Sequence, residues 1–139
     1  MTKNTTPKEI DEQAKLVRFL DDRNILFSAT AQSTYCSWNQ INRNKKSGVR
    51  KGLPDMIICL PANQTMTGDT CLLFIEIKRK SGGSVSKEQK RWVKYINSVI
   101  GDVWACVCKG GDEAIAYVES QLLPKETEIV LDPNWIDSL

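Results

Sequence analysis

Apolar side chains recur at helical spacing in three stretches of this chain. Residues 6–24 form the first, with Thr6 available as N-cap and Pro7 suited to the first turn. Residues 86–100 and 111–123 have the same period and predict two further helices. The expected apolar face of the second helix is built from Trp92, Val93, Ile96 and Ile100.

Four short apolar runs predict strands, at residues 25–30, 55–60, 71–78 and 103–108. Between the first two lies a long polar and basic stretch, 31–52, interpreted as a loop that includes a short helix. The element order is α-β-β-β-α-β-α, with the first three strands as a meander and the fourth after a helical crossover. This order predicts an α/β fold with a mixed four-stranded sheet flanked by helices.

Length and composition bound the organisation of the chain. Its 139 residues fit a single domain over 1–139, with residues 1–6 expected to be disordered. Residues 124–139 form a tail without an assigned element and are a candidate contact with a second subunit. No signal peptide and no apolar run of about 18 residues is present, so a cytoplasmic location without a membrane span is expected.

The residue types present restrict the chemistry. Histidine is absent and the five cysteines form no CxxC pair, which excludes histidine-based catalysis and disfavours a structural zinc site. An odd number of cysteines without a signal peptide also disfavours a disulfide framework. Catalysis would therefore depend on carboxylates, lysines, hydroxyls or a metal with oxygen ligands.

Charge is unevenly distributed although the net charge is only +2. Residues 23–54 contain no acid, whereas the C-terminal region is acidic. The acid-free segment holds six basic residues, namely Arg23, Arg43, Lys45, Lys46, Arg50 and Lys51. Such a segment indicates a local anionic partner, and nucleic acid is the favoured one.

Two charged side chains interrupt the apolar strand at 71–78. Glu76 and Lys78 are two residues apart and therefore project from one face, while Ile75 and Ile77 face the other. Asp55 opens the preceding strand and can lie beside Glu76 if the two strands are neighbours. Adjacent carboxylates repel unless a cation lies between them, and oxygen ligands suit magnesium or manganese. An ordinary ion pair between Glu76 and Lys78 is the alternative interpretation.

The ordered set of motifs resembles a known family. "GLPDMIICL", "LLFIEIKRKSGGSVSKEQKRWV" and "GGDEAIAYVES" are similar to the VRR-NUC branch of the PD-(D/E)XK nuclease superfamily. The matching elements are Gly-x-Pro-Asp, then Glu-x-Lys, then a glycine-rich break and Ser-x-x-Gln opening a helix. The resemblance covers about residues 9–121 and implies a mixed four-stranded sheet flanked by helices.

The resemblance also implies roles for the strand residues. Asp55 and Glu76, with the main-chain carbonyl of Ile77, would bind Mg²⁺ or Mn²⁺. Lys78 would serve the attacking water.

Two helix residues would complete the set. Gln89 would face the same site, although Ser86 and Gln89 also form a capping box that explains both by itself. Glu9 is preferred to Glu12 as the acid of the first helix, because Glu9 precedes Gln13 by four residues as in the family. Glu9 is also consistent with a simple first-turn acid.

The function implied is a metal-dependent DNA endonuclease. Stand-alone VRR-NUC proteins of this size resemble bacterial or viral enzymes that cut branched DNA such as Holliday junctions, which predicts a homodimer with two active sites. The expected DNA contacts are Arg43, Lys45, Lys46, Arg50, Lys51, Arg79 and Lys80, with Tyr35 and Trp38 able to stack on exposed bases. The alternatives are a flap or restriction-type nuclease, a DNA-binding module without catalysis, and a protein that binds an acidic partner.

Overall fold

The computed structural model describes residues 8–30 and 37–124, which form one mixed sheet with helices on both faces. The helices are α1 (Glu9–Asp22), α2 (Trp38–Lys46), α3 (Lys87–Asn97) and α4 (Gly111–Gln121). The strands are β1 (Leu26–Ala29), β2 (Met56–Leu60), β3 (Cys71–Lys78) and β4 (Val103–Lys109). This arrangement confirms the predicted fold class, and α2 is the short helix expected within the basic stretch.

The strand order in the sheet is β1-β2-β3-β4. β1, β2 and β3 pair antiparallel as a meander, and β4 joins β3 in parallel after the crossover through α3. Because β3 lies between β2 and β4, its end meets the start of β2 on one side and the end of β4 on the other. The last residues of β3 therefore lie between the start of β2 and the end of β4, at one end of the strands.

The two faces of β3 have different surroundings. Ile75 and Ile77 are fully buried and pack with apolar residues of α1 and α4 in the main core. Full burial of such a side chain stabilises the fold by roughly 1.5–3 kcal/mol. Glu76 and Lys78 lie on the opposite face, on the side of α3, as their spacing predicted.

Two predicted helix limits were wrong. α1 begins at Glu9, so its N-cap position is Lys8, whose backbone N–H donates to the Asp11 carboxylate at 3.3 Å. α3 ends at Asn97, so Ile100 lies beyond the helix and is completely exposed instead of extending its apolar face. Lys8 therefore takes the N-cap position expected for Thr6. The predictions of disorder for residues 1–6 and of a subunit contact for most of the 124–139 tail lie outside the described residues.

None of the helices in the described part of the chain is both long and apolar enough to span a bilayer.

Candidate active site

Asp55 is held in place by contacts on both sides of the turn that precedes β2. Its carbonyl accepts the backbone N–H of Thr30 at 2.8 Å, and the Thr30 hydroxyl donates to the carbonyl of Pro54. Gly52 has a φ of +97°, and a Cβ there would lie 2.6 Å from the backbone carbonyl carbon of Glu88. Only glycine permits this close approach of the turn to α3. The turn therefore fixes where the Asp55 carboxylate points.

Backbone and side-chain bonds join Asp55 to β3. The N–H of Ile77 donates to Asp55 Oδ2 at 2.9 Å, and the N–H of Asp55 donates to Glu76 Oε2 at 3.2 Å. In a strand, the N–H and C=O of one residue point to the same neighbour. The Ile77 carbonyl therefore lies on the Asp55 side, whereas the Lys78 carbonyl accepts the N–H of Gly110 at 2.8 Å on the β4 side.

Lys78 and Gln89 both meet Glu76 Oε1. The Lys78 ammonium lies 3.4 Å from this oxygen, and the Gln89 amide donates to it at 2.7 Å. Gln89 Oε1 also accepts the backbone N–H of Ser86 at 2.8 Å, and Ser86 Oγ accepts the backbone N–H of Gln89 at 3.1 Å. The capping box and the contact with Glu76 therefore exist together, because the two ends of one amide serve them separately.

The glycine-rich break after β3 folds back over Lys78. A Cβ at Gly83 would lie 3.1 Å from the Cβ of Lys78, and the Lys78 side chain is only 12% exposed. Its position beside Glu76 is thus set by packing of the aliphatic part as well as by charge.

Burial and charge repulsion perturb the two carboxylates. Burial, followed by the negative charge of Asp55, raises the pKa of Glu76 to about 7. Burial likewise raises the pKa of Asp55, against the opposing effect of the Ile77 N–H. Lys78 lowers both values without cancelling these effects. A pair of carboxylates that is difficult to ionise is typical of a site that binds a cation or protons.

The two candidate acids of α1 have different surroundings. Glu12 is fully buried, and its Oε2 accepts the backbone N–H of Gly111 at 2.5 Å at the start of α4. This bond, together with Lys15, lowers the pKa of Glu12. Glu9 lies one turn earlier, is exposed, and is close enough to Asp55 to raise its pKa. Glu12 therefore joins α1 to α4, and Glu9 is the acid of α1 directed at the Asp55 side.

The donor set fits a hard divalent cation. Among residues 8–30 and 37–124, no three acidic or cysteine side chains form one cluster. Asp55, Glu76 and the Ile77 carbonyl nevertheless offer oxygen ligands only, and Mg²⁺ commonly takes one or two carboxylates and keeps several waters. Relief of the repulsion between Asp55 and Glu76 would favour binding of such an ion.

The predicted DNA contacts divide into two groups. The larger group lies in the second half of α2 and in the turn after it, and its side chains are exposed to solvent. It comprises Arg43, Lys45, Lys46, Arg50 and Lys51. Arg79 and Lys80 follow β3 and are also exposed, but Lys80 lies 3.5 Å from Asp112 at the start of α4. Trp38 is 79% exposed at the first turn of α2, while Tyr35 lies outside the described residues.

Sequence reasoning missed two positioning residues. Thr30 orders the turn before Asp55, and Glu12 joins α1 to Gly111, which is 99 residues away in sequence. No local pattern marks either residue, since each acts only through the tertiary fold. The available sequence signal for Glu12 was its spacing, since it precedes Leu16 and Leu20 at intervals of four residues and so lies on the apolar side of α1.

Comparisons with known proteins identify the family of this chain. The family model of the VRR-NUC domain matches residues 12–118. A solved structure, named VRR_NUC domain protein, superposes with a TM-score of 0.56 over 83% of this chain and 88% of its own, at 19% sequence identity. At that identity the structural match supports the fold alone. No curated protein matches the chain significantly.

Proposed function

This chain belongs to the VRR-NUC domain family, and on that premise we propose that it hydrolyses phosphodiester bonds in DNA with a divalent cation. The family is of nuclease type, so DNA is the expected class of substrate. One observation supports the proposal: three groups converge on the carboxylate of Glu76 at the end of β3. They are the Asp55 backbone N–H, the Lys78 ammonium and the Gln89 amide.

Asp55, Glu76 and the Ile77 carbonyl would hold the cation, with Mg²⁺ or Mn²⁺ as the expected ion. When bound, such an ion lowers the pKa of a coordinated water and stabilises negative charge on the phosphate oxygens. The bonds of Asp55 with the Glu76 carboxylate and with the Ile77 backbone N–H fix the positions of the two carboxylates before the ion arrives. The site is thus preorganised by the fold.

Lys78 is the residue proposed to act on the reacting groups. Its side chain is largely buried, and its ammonium is held next to Glu76, where it can orient the attacking water and stabilise charge that develops on a phosphoryl oxygen. The Gln89 amide keeps Glu76 Oε1 in a fixed direction, and its other end is anchored by the cap of α3. Glu9 adds a negative charge near Asp55 that can hold a coordinated water.

The basic surface along α2 is proposed to contact the DNA backbone. Lys and Arg side chains there would neutralise phosphates, which gives affinity without reading sequence. Recognition would then depend on DNA shape, and branched DNA such as a four-way Holliday junction is the proposed substrate. Symmetric cutting of a junction requires two active sites, so a homodimer is proposed as well.

A cleavage panel tests this function. Labelled four-way junction, flap and blunt duplex of equal length are incubated with the purified protein in Mg²⁺, Mn²⁺ or EDTA. We expect cutting that requires metal and prefers the junction. Preference for the flap or the duplex would instead support a flap or restriction-type nuclease, and the oligomeric state is measured in parallel by sedimentation.

Two lysine variants separate catalysis from binding. Lys78→Ala should abolish cutting while junction affinity in EDTA stays within about twofold, because the ammonium acts mainly on the reaction. Lys94→Ala is the matched control, since Lys94 is exposed on α3 and contributes to neither the site nor the basic surface. Tight junction binding without cutting in any metal would identify a DNA-binding module, and absence of DNA binding at low salt would refute both.

A further inference from the structure

A cleft of about 760 Å³ separates α3 from the turn that follows α2. Its volume is in the range of about 300–1,000 Å³ found for small-ligand sites. Most of its lining residues are basic or aromatic. These are Lys45, Arg50, Lys51, Arg91, Trp92 and Tyr95. Glu88 is the single acid among the described residues that line it. The cleft therefore combines flat apolar surfaces with positive charge.

The aromatic side chains of the cleft are held in place while remaining open to solvent. Trp92 donates its indole N–H to the carbonyl of Lys51 at 3.3 Å, yet 39% of its surface is exposed. Tyr95 is 60% exposed, and the Arg91 guanidinium lies 5.7 Å from the centre of its ring. Large aromatic surfaces that are ordered but uncovered favour stacking with another flat group.

One charged side chain of the cleft, Arg50, is also held in place by hydrogen bonds. Arg50 donates through Nη1 to the carbonyls of Lys45 and Val49, at 3.2 and 3.0 Å. A guanidinium has five N–H donors, so most of its donors stay available for an anion. Glu88 offers an acceptor that an N–H group of a base, such as the N3–H of thymine, can satisfy and a phosphate cannot, which places phosphates towards Arg50.

The cleft and the candidate active site are built from the same two segments of the chain, the turn before β2 and helix α3. Lys51 precedes Asp55 by four residues, which span at most about 14 Å. On the other wall, Glu88 is adjacent in sequence to Gln89, whose amide contacts Glu76. The distance of at most about 14 Å corresponds to about four nucleotides of B-DNA rise. One DNA strand can therefore reach both the cleft and the candidate active site.

We propose that this cleft binds an unpaired nucleotide of the DNA substrate, with its base stacked on Trp92 and Tyr95 and its phosphates near Arg50 and Lys51. Bases inside a duplex are already stacked on their neighbours and cannot enter. The cleft would therefore favour DNA with a splayed or single-stranded nucleotide close to the cut. This inference rests on the proposed nuclease function and adds to it the element of substrate that is recognised.

Binding in EDTA tests the cleft without cleavage. Fluorescence anisotropy measures the affinity for a short labelled oligothymidylate and for the same strand in a blunt duplex. Tyr95→Ala should weaken binding to the single strand by about 5- to 150-fold, which corresponds to the loss of one stacked base, and should change duplex binding by less than about twofold. Trp92→Ala should act in the same direction. Trp104→Ala is the control, because Trp104 is similarly exposed but lies on β4, away from the cleft.

The outcomes distinguish this inference from the function on which it rests. Unchanged single-strand affinity in both Tyr95→Ala and Trp92→Ala would overturn the cleft proposal even if the enzyme cuts DNA normally. Single-strand binding that depends on Tyr95, with no cutting of any substrate, would support the cleft and refute the nuclease. Competition by thymidine monophosphate as strong as that of the oligonucleotide would indicate a site for a free nucleotide and would also overturn the proposal.

Discussion

The two buried glutamates should affect the pH dependence of stability differently. The pKa of Glu76 is about 7 in the folded protein, against 4.5 for an unperturbed glutamate. The folded state therefore keeps a proton that the unfolded chain has released between these values, and stability falls as the pH rises through that window. A pKa difference of about 2.5 corresponds to about 3 kcal/mol, of which about 2–3 kcal/mol is lost between about pH 5 and pH 8.

Removing the titrating group should remove this loss. In EDTA, the free energy of unfolding of the wild type should fall by about 2–3 kcal/mol more than that of Glu76→Gln between about pH 5 and pH 8. Altered hydrogen bonds in the variant change its free energy of unfolding equally at the two pH values. Their effect therefore cancels when the two free energies are subtracted. Urea unfolding followed by circular dichroism at the two pH values provides the measurement.

Glu12→Gln is the matched control. The pKa of Glu12 is lowered from 4.5 by its bond with the Gly111 N–H, so its contribution to stability is complete above that value and is lost only as the pH falls below it. Glu12→Gln should therefore be destabilised at both pH values, with the difference between them unchanged. If the pH dependence of Glu76→Gln equals that of the wild type, burial and the charge of Asp55 do not raise the pKa of Glu76, and the metal argument loses its basis.

Three further results are expected. Mg²⁺ should raise the melting temperature more at about pH 8 than at about pH 5, because it competes with protons for the same carboxylates; an equal rise at both would contradict binding there. Ser86→Ala should cost about 1 kcal/mol by loss of the helix cap and keep most of the cleavage rate below the melting temperature, whereas Gln89→Ala should lose both stability and rate. Equal rates in these two variants would show that Gln89 acts only as a cap. Gly52→Ala should destabilise the protein by about 1–3 kcal/mol more than Gly48→Ala in urea unfolding. Both glycines have a positive φ, but only at Gly52 would the new Cβ meet the backbone of Glu88; equal costs would refute that close contact.

Patterns that act over a few residues were sufficient to predict the central strand and the shared face of its two charged side chains. β3 occupies residues 71–78 as predicted, because its run of branched and aromatic residues ends at a glycine-rich break. The approach of Asp55 to Glu76 followed from two antiparallel strands joined by one connection. The double role of Gln89 was present as two alternatives, and the structure shows that they are compatible.

Features that depend on distant parts of the chain were not predictable. Trp92 was assigned to the apolar face of its helix, but 39% of it is exposed because its indole binds the carbonyl of Lys51 at the rim of the cleft. Ile96 alone of that face is buried. The partner of Glu12 could not be inferred either, since Gly111 is 99 residues away in sequence and meets α1 only through the tertiary fold.

The contact between Glu12 and Gly111 has a consequence for when α1 becomes anchored during synthesis of the chain. Asp55, Glu76 and Lys78 leave the ribosome well before Gly111, and translation adds only about 5–20 residues per second. Until α4 emerges, α1 lacks the backbone N–H donor that the buried carboxylate of Glu12 binds. The nascent chain therefore carries the strand residues of the candidate site for a few seconds without the contact that anchors the buried carboxylate of α1 to α4.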